Sequence, residues 1–523
     1  MADRAKIFFK AISAIFEEHE KYTPISIFKV PDSLTDAKPE AYVPKQVGLG
    51  PLHHMRSEMQ MYKAMEARRF HDRFQSFEFH VLVAALEQKA TLSVRASYNM
   101  YLEITDDVLA CIMAIDGLFL FDFLSCYVVR KKALPKDALA DSSVLSHLVK
   151  SAGKTLAQEI TLREAMMLEN QIPILVLKTI VSAETNFHFV SKLLPEILVS
   201  FCHFVSPFDK MVKYPPYKSL RHPHLLDLLY RMIMLVDSPK ENPQEEGEEG
   251  KKKEFQLLKE FFDEVKSTIA LHVNYVGVLG RLKQRMVVNN FLDLGKYIAP
   301  QPMKNLTELT QGLLKLPWSQ LGSSLSSSLT KRPPDEEILI PSASELQKVG
   351  VKFQSDHITR IKFDPNKVTF HLPSIKLSEN SEVIISNLIA YEAMIESGTE
   401  QPLFLMRYVD IMSGLIKTPK DIKVLTDDGI IKLQSISDEQ VVKVFNGASK
   451  SVESTNTESV DEAIESVKKH YNKSWKVSTR KFIKKWKWVA GKWCQVIAVL
   501  LVLLLMGIQA FCSVYECRRQ FLI

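Results

Sequence analysis

The stretch "VLACIMAIDGLFLFDFLSCYVV" (Val108–Val129) decides whether the chain is built round a membrane span or round a buried helix. It is long and apolar enough for either. Asp116 and Asp122 sit inside it, and a carboxylate in hydrocarbon is costly unless it finds a partner or a proton. Inside a protein the same group can accept hydrogen bonds from backbone N–H or from arginine. The stretch is therefore read as a core helix, with Asp116 as a structural acceptor rather than the acid of a site. Leu193–Val205, interrupted by Glu196, reads the same way.

The flanking sequence agrees. "MQMYKAMEARRFHDRF" (Met59–Phe74) and "TLAQEITLREAMMLEN" (Thr155–Asn170) space apolar residues three and four apart, the helical period. Residues 350–377 differ. Ile361 and Phe363 alternate with polar residues before "DPNK", and Val368, Phe370 and Leu372 alternate after it, which predicts a β-hairpin across a Pro-Asn turn. "VLTDDGIIKL" (Val424–Leu433) carries an Asp-Gly turn. The expected fold is mainly α: a large helical body with a small β-hairpin element in the second half, plus one C-terminal transmembrane helix.

That helix is predicted from Trp493–Tyr515, 23 residues without a charge. At about 1.5 Å per residue they reach roughly 35 Å, against a hydrocarbon core of about 30 Å. Residues 473–492 hold eight Lys/Arg and no acid; 493–523 add a net +1, so 1–472 carry 6 − 8 − 1 = −3. A mildly acidic body is a poor partner for nucleic acid. The collar Lys484, Lys485, Trp486, Lys487, Trp488, Lys492 and Trp493 suits a membrane interface, where indole sits at headgroup depth and lysine marks the cytoplasmic side. The bilayer is the expected partner of 493–515, with the body cytosolic and residues 516–523 across the membrane, as in a tail anchor. Six cysteines without a CxxC pair fit a reducing compartment.

Composition marks the other boundaries. Residues 1–236 read as helical, 237–254 as a charged linker or loop and 255–320 as a helical continuation. Residues 321–337 are a Ser/Pro linker, 338–446 an α+β part, and 447–472 a polar linker or helix before the basic segment 473–492.

Chemical motifs are few. "SAGKT" (Ser151–Thr155) lacks the earlier glycine of a phosphate loop, since Leu148 stands there, and "HEKYT" has Thr23 where a zinc helix needs histidine. In "GLGPLHHMRSEM" (Gly48–Met59), Gly50 and Pro51 make a turn, and His53 and His54 with Glu58 could ligate a metal. Adjacent histidines suit one ion poorly, so a turn leading into a helix is the preferred reading. In "MMLENQIPILVL", Glu169, Asn170 and Gln171 lie between two apolar helices, and Pro173 suits the start of the second. Asn170 or Gln171 is expected to satisfy N–H groups at that joint. No cofactor is expected.

In order along the chain, "SIFKVPDSL", "YVPKQVGLGPLHH", "DGLFLFDFL" with Asp116 and Gly117, "LREAMMLENQIPILVL", "HPHLLDLLYRM", "PSASELQKVGVKF", "SNLIAYEAM", "TDDGIIKL" and "KVFNG" resemble the plant domain-of-unknown-function 247 family. Gly48, Leu52, Met55 and Leu118 depart from its usual residues. The resemblance implies a plant protein with one C-terminal membrane helix and no established catalytic residues, some of whose relatives are candidate pollen determinants of self-incompatibility. The function expected from all this is non-catalytic: protein contacts, with partners unidentified, made at a membrane surface. The alternatives are a metal-dependent hydrolase using His53, His54 and Glu58, and a self-recognition determinant.

Overall fold

A computed structural model describes residues 25–54, 60–74, 77–130, 156–211, 213–235, 252–273, 340–395, 403–434, 436–448, 458–474 and 504–509. Helices dominate. After two short ones, α1 (Asp32–Ala37) and α2 (Pro39–Tyr42), a turn of helix α3 (Gly50–His53) precedes α4 (Gln60–Phe74), α5 (Phe79–Lys89) and α6 (Thr91–Ser97). The decisive stretch lies in α7 (Asp106–Arg130). Its Leu109, Ala114, Leu118, Phe121, Leu124 and Val128 are fully shielded from solvent. Both carboxylates have cations: Lys63 Nζ lies 2.5 Å from Asp116 Oδ1, and Arg73 donates to Asp122 Oδ1 at 2.8 Å. Among the described residues Asp106–Val128 is the one helix long and apolar enough to cross a membrane, and 78% of its most apolar part is buried.

The helices that pack on α7 are α4 and α5 before it and α9 (Ile174–Glu184) and α10 (Leu194–Val205) after it; α8 (Leu156–Ala165) and α11 (Leu225–Met234) lie further along the same half of the chain. A π-helical turn, Phe189–Leu193, leads into α10. Pro195 has no N–H to serve the Ser191 carbonyl, which accounts for the widened turn. The helix α12 spans 252–273. The charged stretch 237–254 lies outside the described residues except for its last three, which open α12, and the Ser/Pro stretch 321–337 lies outside them entirely.

The second half holds α13 (Ala343–Lys348), α14 (Ser381–Ile395), α15 (Phe404–Leu415), α16 (Pro419–Asp427), α17 (Asp438–Ala448) and α18 (Glu458–Lys473). The expected hairpin is present: β2 (Lys362–Asp364) pairs antiparallel with β3 (Thr369–Pro373), Phe363 opposite Phe370. Asp364 Oδ1 closes the turn by accepting from Asn366 N (2.9 Å) and Lys367 N (3.2 Å). Two things extend the expectation. A strand β1 (Lys352–Asp356) runs parallel to β3 on its other side. A separate parallel pair joins β4 (Ile375–Leu377) to β5 (Ile431–Leu433). The Asp-Gly of "VLTDDGIIKL" is no hairpin turn: Gly429, at φ 73°, ends α16 and feeds β5, with Ile430 N bonded to Leu425 O. One hydrophobic core runs through both halves, from Ile27 to Val467.

The predicted membrane helix 493–515 lies outside the described residues except for 504–509. Those six are helical.

Candidate functional site

Between α1 and α4 the chain has little regular structure, so its backbone N–H groups need acceptors from elsewhere. The core helices supply them as side chains. Glu164, in α8 and wholly buried, accepts from Lys45 N (2.8 Å), Gln46 N (3.1 Å) and Val47 N (2.6 Å). Asn170 Oδ1 accepts from Leu49 N at 2.6 Å, while its Nδ2 donates to the carbonyls of Val47 and Glu164, each at 2.9 Å. Asp116 Oδ2 accepts from Gly50 N at 2.9 Å, and Glu169 Oε1 from Val30 N at 2.8 Å.

Gly50 is positioned by two constraints. Its φ is +72°, and a Cβ there would lie 2.9 Å from Tyr98 Oη. That hydroxyl donates to Gln171 O at 2.9 Å. Gln171 bridges further: Nε2 donates to the Ala165 and Met167 carbonyls, and Oε1 accepts from Leu226 N in α11. Lys63 joins this irregular segment between α1 and α4, a strap across the core, to the helices by donating to Gly48 O (2.5 Å) as well as to Asp116. Burial pushes the Asp116 carboxyl up from the usual carboxylate range, against the pull of Lys63 and the Gly50 N–H.

Gly50, Pro51, His53, Asp116, Glu169, Asn170 and Gln171 therefore meet in one seam. The N–H groups that Asn170 and Gln171 satisfy belong to Leu49 and Leu226 rather than to the joint between helices where they were expected. Pro173 takes the expected place, capping α9. Gly117 faces away from the seam, against Val176 and Ile180 of α9. The two histidines diverge. His53 Nε2 lies 3.2 Å from Glu169 Oε2, off the line of a hydrogen bond, whereas His54 Nδ1 is 2.6 Å from the Pro51 carbonyl. Glu58 lies outside the described residues, as do Lys484, Lys485, Trp486, Lys487, Trp488, Lys492 and Trp493. Among the described residues no group of three or more His, Cys, Asp or Glu side chains is arranged to hold a metal ion.

Lys63, Tyr98 and Glu164 were not singled out from sequence, nor was a second cluster round Asp227 of α11. There His222 Nδ1 is 2.6 Å from Asp227 Oδ2, Tyr391 of α14 donates to Asp227 Oδ1 at 2.7 Å, and Tyr214 Oη is 2.5 Å from His222 Nε2. A Tyr–His–Asp chain could relay a proton. Burial, however, pushes the Tyr214 phenol up to about 12, too high for a nucleophile at neutral pH. The Asp227 carboxyl is held below its usual range: burial opposes this, but the bond to His222 and the neighbouring rings prevail. His224 caps α11, its Nδ1 accepting from Asp227 N (3.2 Å), which leaves Nε2 to carry the proton to Ser26 O (2.9 Å). Both clusters tie distant segments together, and their carboxylates are spent on that task.

The sequence is similar to those of known plant proteins. A UPF0481 protein of Arabidopsis thaliana is 31% identical over 540 residues, covering 98% of this chain and 94% of its own. A second UPF0481 protein of the same plant is 28% identical over 221 residues, 39% of this chain and 40% of its own. No solved structure matches. The DUF247 family, described as plant protein of unknown function, matches residues 27–506, which take in the strap, the seam and both small sheets. The chain belongs to the plant DUF247 family.

Proposed function

We propose that the protein is a non-catalytic interaction component whose helical body is held at the cytosolic face of a membrane by its C-terminal apolar run. One observation carries this reading. The described part of that run, residues 504–509, is helical, and Leu504, Leu505, Met506 and Ile508 are each more than half exposed. Each such side chain gains about 1.5–3 kcal/mol on leaving water, and the uncharged run with its Lys/Trp collar suits lipid. The absence of catalysis is inferred from the seam: its buried carboxylates and amides are engaged with backbone groups. Anchoring confines the body to two dimensions and raises its effective concentration near partners at that surface.

Fractionation of plant cells tests the tether. The full chain should pellet with membranes through a salt wash, and a chain lacking residues 476–523 should stay in the supernatant. A truncated chain that still pellets after the wash removes the basis for anchoring by this segment. Orientation has its own readout: glycans on Asn305 or Asn472 would place the body in the lumen.

A further inference from the structure

A cavity of about 360 Å³ opens between α9, the π turn, the 3₁₀ helix Pro216–Arg221 and the first turns of α12. It is separate from the seam. Its charged lining is Lys178, Lys192 and Arg221 against Glu254, a surplus of 3 − 1 = 2 positive charges with histidine neutral. The widened turn at Pro195 displays Ser191 and Lys192 to this space. Lys178 is steadied at one wall, its Nζ 3.9 Å from the centre of the Phe261 ring.

Two features narrow what fits. Glu254 forms an ion pair with Arg221 through Oε1, yet its Oε2 is buried and makes no hydrogen bond among the described residues. An orphaned buried acceptor is destabilising, and a ligand N–H or O–H would relieve it. Phe255, about half exposed at 51%, lines the same cavity and offers an aromatic face to carbon-bound hydrogen. A simple anion would use the cations and leave the acceptor and the ring idle.

We propose that this cavity binds a sugar or cyclitol phosphate, free or as a lipid headgroup. The phosphate lies against Lys178, Lys192 and the guanidinium of Arg221, a hydroxyl donates to Glu254 Oε2, and the ring carbons pack on Phe255. The site does not depend on the tether, so its test stands whether or not residues 493–515 enter a bilayer.

Titration calorimetry on the full chain in neutral detergent micelles, with three probes, decides it. The probes are myo-inositol 1-phosphate, a water-soluble short-chain phosphatidylinositol 4-phosphate, and inorganic phosphate. One of the inositol probes should saturate at one per chain and bind about tenfold more tightly than inorganic phosphate, the value of one charge-assisted hydrogen bond. Whichever inositol probe binds better identifies the source as free or lipid-borne. Lys192→Glu changes an exposed side chain and leaves folding intact; it should abolish saturation. Glu254→Gln should bring the inositol probe down to the level of inorganic phosphate. Three outcomes overturn the proposal: no saturable heat with either inositol probe, binding that Lys192→Glu leaves unchanged, or inorganic phosphate binding as tightly as the inositol probes.

Discussion

Asn170 shows what single residues do here. It fills one acceptor and two donor roles at once, all to backbone groups. Asn170→Ala would strand Leu49 N–H and two carbonyls, each worth about 1–3 kcal/mol when buried and unpaired. The expected result is a loss of at least about 3 kcal/mol in chemical unfolding of the full chain followed by circular dichroism. His224 gives a pH prediction. Burial lowers its pKa to about 4, from 6.5 in the unfolded chain. Between those values the unfolded state binds more protons, so stability present above pH 6.5 is lost as the pH falls through the folded value. The loss amounts to about 3 kcal/mol. Protonation would also set an Nδ1–H against the Asp227 N–H. His224→Gln should remove that much of the difference in unfolding free energy between pH 7 and pH 4. His71 has the opposite sign in the next window. Burial works against its protonation, but the bond to Glu184 raises the pKa above 6.5, so its contribution is lost as pH rises. Asp116 was legible as a buried acceptor because apolar sequence surrounds it. Its cation was not, since Lys63 lies 53 positions away on another helix.

At the scale of elements, α7 and α9 meet where Gly117 has no side chain. A Cβ there would come within 2.4 Å of Ile180 Cδ1 and 3.0 Å of Val176 Cγ1. Gly117→Ala should therefore cost about 1–3 kcal/mol through overpacking. Ile180→Val, which removes the clashing methyl, should recover much of that cost in the double variant; additive losses would show that the helices do not touch as described. The hairpin was readable because its period of two and its turn residues are local. Strand β1 was not: in Lys352–Asp356 only Phe353 is buried, and its parallel partner β3 is the second strand of the hairpin, reached only after β2. The β4–β5 pair joins residues more than fifty positions apart, and nothing in either short stretch announces the other. The Asp-Gly signal was real but ambiguous, since a glycine with positive φ ends helices as readily as it turns hairpins.

For the molecule as a whole, the two compositional halves share one core. Asn387 of α14 accepts from Leu168 N and donates to Ala41 O, and Tyr391 reaches Asp227. The chain should therefore unfold in a single transition, and fragments 1–338 and 339–474 made separately should lack cooperative unfolding. Two resolved transitions would mean that the halves are separate domains.

The docking of α18 has a geometric consequence. Phe363 of β2 stacks near His470 (ring centres 5.6 Å apart) and Arg407 holds Asp461, so the helix is fixed to the body up to its last turn at Lys473. Only residues 474–492, 492 − 473 = 19 of them, separate that turn from Trp493. If the apolar run lies in lipid, this leash spans at most about 65 Å fully extended and about 28 Å if helical. The last turn of α18, beside β2, is then confined to a shell of that thickness next to the headgroups, and a partner that meets the body there must lie within the same reach of the bilayer.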